Sequence, residues 1–140
     1  MSRLSFRSRR RERGAASVEM IVVLPVLLVL TFAILEFGIA FREWALVQNG
    51  ARIAARRASL FEDGCNAGAV RADAEAQARQ LLQLAGLPAP QFAWVGASCV
   101  PGTIQVTVTH TFRFRFLRAF APVMPPELPL RGTAMMRNEA

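Results

Sequence analysis

Two carboxylates stand in apolar surroundings, where a charge needs a partner. Glu19 follows Gly14-Ala15-Ala16-Ser17-Val18 and opens an uncharged run from Met20 to Leu35, which Glu36 closes. A carboxylate beside lipid is costly unless it meets a cation, a hydrogen-bond donor or water. Glu19 therefore either pairs with a positive group or snorkels to head groups, and its position favours pairing. Glu36 lies about 25 Å from Met20 along a helix, which favours a place at the outer interface over a pairing role. Cys65 and Cys99 follow the run. In an oxidising compartment they form a disulfide in preference to free thiols. They are too few and too widely spaced for a metal knuckle, and no second histidine joins His110, so no zinc site is expected. His110 also lacks a serine or cysteine in a catalytic setting and reads as structural or surface-facing. Asp63, Asp73 and Glu75 do not fit a calcium loop, and no glycine-rich phosphate loop is present. These residues describe neither an enzyme nor a cofactor site.

The elements that position Glu19 and Glu36 follow from the run between them. After Glu36, Phe37-Gly38-Ile39-Ala40-Phe41 continues the apolar character to Arg42. A helix from Met20 to Phe41 spans about 33 Å, enough for a hydrocarbon core of about 30 Å. Pro25 removes one backbone donor inside it, so a kink or loosened turn is expected there. Phe41 and Trp44 fall where the helix leaves the hydrocarbon, a position that suits aromatic rings. Met1–Gly14 holds six arginines and one glutamate, so it supplies +5 of the formal net charge of +7. The basic balance is thus mainly a topology signal that holds the N-terminus in the cytoplasm and sends the rest of the chain outside. A nucleic-acid module would spread its cations over a folded face, so no nucleic-acid partner is expected. Residues 1–13 are expected to stay unstructured or to lie against anionic head groups.

A basic region before an apolar one also opens a secretory signal peptide, but there the small residues of the cleavage site follow the apolar region. Here Gly14-Ala15-Ala16-Ser17 precede it. This order resembles a type IV prepilin: a basic leader ending in Gly14, Ala15 as first mature residue and Glu19 as the fifth. Val18-Glu19, Leu24-Pro25, Glu36-Phe37-Gly38 and Gln48-Asn49-Gly50-Ala51-Arg52-Ile53-Ala54-Ala55-Arg56 narrow it further. They resemble the TadE-like family of the tight adherence (Flp-type) pilus system, over Gly14 to Arg57. The resemblance implies cleavage between Gly14 and Ala15 by a prepilin peptidase, and pairing of Glu19 with the amino group of a mature N-terminus. It also implies partners among pilin-like subunits and tight adherence assembly proteins at the bacterial inner membrane.

The rest of the chain reads as one small outer domain. The spine helix continues to about Leu60, since Arg42–Leu60 contains no proline and a single glycine. Phe61-Glu62-Asp63-Gly64-Cys65-Asn66 is a loop. Val70, Ala74, Ala78, Leu81, Leu82 and Ala85 recur at helical steps, and Gly86 and Pro88 end that helix. Phe92–Val95 reads as a strand. Thr103–Phe116 alternates, with Ile104, Val106, Val108, Phe112, Phe114 and Phe116 on one face, and its length predicts a bend or bulge near His110. The phenylalanines either cover the spine or offer a partner surface, and covering is favoured. Ala121–Pro129 cannot be helix or central strand, and Leu130–Arg137 can form a third strand.

The expected architecture is a pilin-like α+β fold: a leader over 1–14, a transmembrane spine over 15–60 and an exported domain over 61–140. That domain holds a short second helix and an antiparallel sheet of about three strands. The function this implies is that of a minor pseudopilin acting by helix packing. Two alternatives are an uncleaved single-pass protein whose outer domain, periplasmic or extracellular, binds an envelope partner, and a secreted enzyme released from a signal peptide.

Overall fold

The computed structural model describes residues 8–60, 65–96, 98–120 and 125–138, with side chains from residue 18 to 137. One helix dominates. α1 (Ser8–Ala58) runs 51 residues without interruption, about 77 Å at the helical rise. It passes through Pro25 without leaving the helical class. It also begins earlier than expected, because Ser8–Arg13 of the leader extend the helix; arginine is a good helix former and the segment contains no breaker before Gly14.

Burial divides α1 in two. Between Val18 and Leu35 its side chains are exposed, apart from half-buried Val29, Phe32 and Ala33. From Glu36 onward, Glu36, Ala40, Val47, Ala51, Ala54, Ala55 and Ala58 are buried. Their three- and four-residue steps draw one stripe down the helix, and mostly small side chains let the other elements approach closely.

α2 (Ala67–Leu84) is capped by Asn66, whose side-chain oxygen accepts from the N–H groups of Gly68 and Ala69 at 2.9 and 3.3 Å. It buries Ala74, Ala78 and Leu82: Ala78 and Leu82 share a core with Val47, Ala51, Val106 and Val108, and Ala74 packs with Ala58 and Ile104. The sheet has the order β1-β2-β3 and is antiparallel throughout, with β1 Gln91–Val95, β2 Gly102–Arg113 and β3 Glu127–Asn138. Long-helix spine, short helix and three-stranded sheet make an α+β fold, as the patterns predict.

Two details differ from the sequence reading. β2 carries no bulge at His110, since it pairs residue for residue with β3 from Gly102↔Asn138 to Arg113↔Glu127. A neighbour of equal length satisfies its ladder without a bend. β3 also begins three residues earlier than Leu130 and includes Pro129, which an edge strand tolerates because one side of its ladder needs no donor. Beyond Arg113 the alternation ends, and α3 (Leu117–Phe120) is a single turn.

Candidate assembly site on the spine helix

The spine offers two surfaces: a bare apolar rod below and a docking face above. On the rod, Glu19 and the side chains of Met20, Ile21, Leu24, Leu27 and Leu28 are exposed. Among the described residues Glu19 has no hydrogen bond or ion pair with another side chain. Gly14 and Ala15 lie within the helical backbone of α1, and their side chains fall outside the described ones. Ala15 and Glu19 are four residues apart in this helix, so they share one face a single turn apart. By length and composition α1 can cross a membrane. Thr31 fits that setting, its hydroxyl donating back to the Leu27 carbonyl at 2.8 Å.

The docking face holds the largest departure from the sequence reading. Glu36, placed by its spacing at the outer interface, is 3 % exposed and its carboxylate is fully engaged. Oε1 accepts from the backbone N–H groups of Arg115 and Phe116, the latter at 3.1 Å, and Oε2 from that of Leu117 at 2.8 Å. The charged side chain thus satisfies the unpaired donors where the chain leaves β2 and begins α3. Around it Ala40, Phe112, Phe114 and Leu130 form a separate core cluster, with Leu117 against it. Phe112 and Phe114 therefore cover the spine, whereas Phe116 stays half-exposed while stacking on Phe32 at 5.1 Å. The signal that could have located this arrangement was Glu36 itself, a charge inside an apolar run.

Further along, Gln48 fastens the spine to β3. Its amide donates to the Thr133 carbonyl at 2.9 Å, and its oxygen accepts from the Thr133 N–H at 3.2 Å. The side chain therefore occupies a stretch of open strand edge as a neighbouring strand would. Gly132 makes this possible: a Cβ there would stand 2.7 Å from the Gln48 Cα. Gly50 faces α2, where a Cβ would meet Leu82 at 3.0 Å. Between Glu36 and Gln48, Glu43 lies 3.5 Å from His110 of β2, so that histidine joins strand to spine. Phe41 stays exposed and packs on Trp44 with ring centroids 5.6 Å apart.

α2 is fastened from the opposite side. Arg71 donates to the Gly96 carbonyl at 2.6 Å and Trp94 donates to Glu75 at 2.8 Å. Cys65 and Cys99 are bonded, with Cα atoms 5.7 Å apart, joining the approach to α2 to the β1–β2 turn. Asp73 pairs with Arg57 of α1 at 2.6 Å, while Asp63 lies outside the described residues. Among the described residues no group of three histidine, cysteine or carboxylate side chains could hold a metal ion.

The model of a family described as TadE-like protein matches residues 14–56. No curated protein and no solved structure matches the chain. The match ends two residues before α1 does, so it covers the apolar rod together with the docking face that carries Glu36, Gln48 and Gly50. The spine is thus similar to a TadE-like segment over residues 14–56.

Proposed function

We propose that the chain is a minor pseudopilin of a tight adherence (Flp-type) pilus system, cut between Gly14 and Ala15 by a prepilin peptidase and working by helix packing in the inner membrane. The observation that carries this reading is the division of α1. Its lower half presents an exposed apolar surface headed by Glu19, and its upper half is consumed by the folded domain. A helix arranged in this way can pack against other membrane helices while the body of the domain stays outside. With the leader removed, the Ala15 ammonium and the Glu19 carboxylate form a complementary pair at the membrane edge, each available to a neighbouring subunit. The partners are the peptidase, other pilin-like subunits and the assembly proteins of the same system.

A second reading, an uncleaved single-pass protein whose outer domain binds an envelope partner, draws on one observation. The helix runs unbroken across Gly14–Ala15, and cleavage needs that backbone locally opened. Gly14 lowers the cost of opening, since glycine disfavours helix by about 1 kcal/mol relative to alanine. Intact mass and N-terminal sequencing of the protein from its native membrane decide between the two. Cleavage predicts Ala15 as first residue and its loss in Gly14→Leu; an intact Met1 terminus on the wild type overturns it, and a start beyond Phe41 would indicate a signal peptide.

A further inference from the structure

The bare part of the spine is too short to cross a bilayer by itself. Met20–Thr31, the uncharged stretch below the first ring contact with the domain, is about 18 Å long, against about 30 Å of hydrocarbon. Above it, Phe116 stacks on Phe32, and Phe114 meets Phe37 edge-on with centroids 6.2 Å apart. Counted from Ala15, Phe32 stands about 25 Å along the helix, and counted from Met20 about 18 Å; tilt only lowers these heights. In either register the Phe32–Phe116 stack lies beneath the outer edge of the hydrocarbon. We propose that the tip of the folded domain, Arg115–Phe120, is immersed in the outer leaflet of the membrane that α1 crosses, with Arg115 and Arg118 held by anionic head groups.

The chemistry of the tip matches a lipid surface. Phe116 and Phe120 are 50 % and 56 % exposed, an apolar end that is costly in water and favourable at the head-group boundary. Irregular backbone is tolerated at that depth only where its polar groups are satisfied within the protein. Glu36 does this, taking the N–H groups of Arg115, Phe116 and Leu117. The same bonds remove the difficulty of a bare carboxylate in lipid. Thr111–Phe120 contains three arginines and no acid. Arg113 is paired with Glu127 at 2.9 Å, while Arg115 and Arg118 are exposed and their long stems can carry the guanidinium up to phosphates.

The proposal rests on α1 crossing the bilayer, and its test separates the two. Spin labels are placed singly at Leu27→Cys, Phe120→Cys and Gln80→Cys in the full chain with the native disulfide intact. The protein is held at one copy per nanodisc of phosphatidylglycerol and phosphatidylethanolamine, and accessibility to oxygen and to a water-soluble nickel chelate is measured. The labels at 27 and 120 are expected to be rich in oxygen and several-fold less accessible to nickel than the label on α2 at 80. A label at 120 as open to nickel as that at 80, with 27 still protected, overturns the immersed tip alone. A label at 27 open to nickel overturns the membrane crossing itself. Protection at 120 that appears only with two copies per disc assigns the face to a second copy and overturns the lipid reading. Arg115→Glu with Arg118→Glu is expected to raise nickel access at 120 in anionic discs and to do so less in phosphatidylcholine; equal behaviour in both removes the head-group contact from the proposal.

Discussion

Glu19 and Glu36 are the same side chain put to different uses. Glu36 is spent within the subunit, on three backbone donors of Arg115, Phe116 and Leu117, whereas Glu19 stays exposed on the rod. Glu36→Gln keeps the size but turns one oxygen into a donor that faces other donors. Hydrogen bonds to charged groups contribute about 1.5–3 kcal/mol, so the connection between β2 and α3 should loosen by about that much. Limited trypsin digestion in detergent reads it, as faster cutting after Arg115 and Arg118; wild-type rates would assign no anchoring role to Glu36. Glu19→Gln should leave folding, insertion and cleavage unchanged while reducing recovery of partner pilins from membranes and the number of surface pili. Glu19→Asp should do less harm. Normal recovery and normal piliation in the Gln variant would leave Glu19 with the snorkelling role only.

At the scale of elements, the spine segment that matches the TadE-like model is a platform to which α2, α3, β2 and β3 are each attached at their own point. Glu36 takes the start of α3, Glu43 lies beside His110 in the second half of β2, Gln48 takes the edge of β3, and Gly50 lies under α2. The contact between α1 and β3 tolerates no added atom at Gly132, because a Cβ there would press on helix backbone at 2.7 Å and not on a side chain that can turn away. Gly132→Ala should therefore lower stability by about 1–3 kcal/mol, the usual effect of overpacking. Gln48→Ala removes the two bonds to Thr133 without a clash and should do less. Thermal melts followed by circular dichroism in detergent order the two variants, and a Gly132→Ala midpoint equal to wild type would show that the contact yields freely.

For the whole molecule, the fold is fastened at both ends of the sheet. Glu36 secures the end nearer the membrane, and the Cys65–Cys99 bond secures the β1–β2 turn, closing a loop over a sequence separation of 34. Chain entropy gives such a closure about 3–4 kcal/mol of stabilisation, less any native strain. Reduction should therefore shift denaturant unfolding of the domain to lower concentration while leaving the helical rod folded. An unchanged midpoint after complete reduction, verified by thiol labelling, would contradict it. The spine itself should lose little helix, since α1 owes its lower half to apolar sequence and lipid and not to the sheet.

The sequence by itself determined the elements whose causes are local. The apolar run with its flanking charges specifies a membrane-length helix, the three- and four-residue steps of Ala74, Ala78 and Leu82 specify α2, and the alternation of Ile104, Val106 and Val108 specifies β2 with its buried face. The resemblance of Gly14–Arg57 was legible in the same way, because the motif lies in one continuous stretch, and the family match falls on residues 14–56. Tertiary structure alone decided how the two halves meet. Glu36 bonds to residues about 80 positions away and Gln48 to one 85 away, and no periodicity in either stretch encodes a contact at that separation. The straight course of β2 past His110 was likewise decided by β3, since pairing with a neighbour of matching length replaces the bend that strand length alone would favour. Phe112, Phe114 and Phe116 alternate identically in sequence, yet two are buried on the spine and the third is left half-exposed, because the strand ends at Arg113 and only its surroundings determine where each later ring can go.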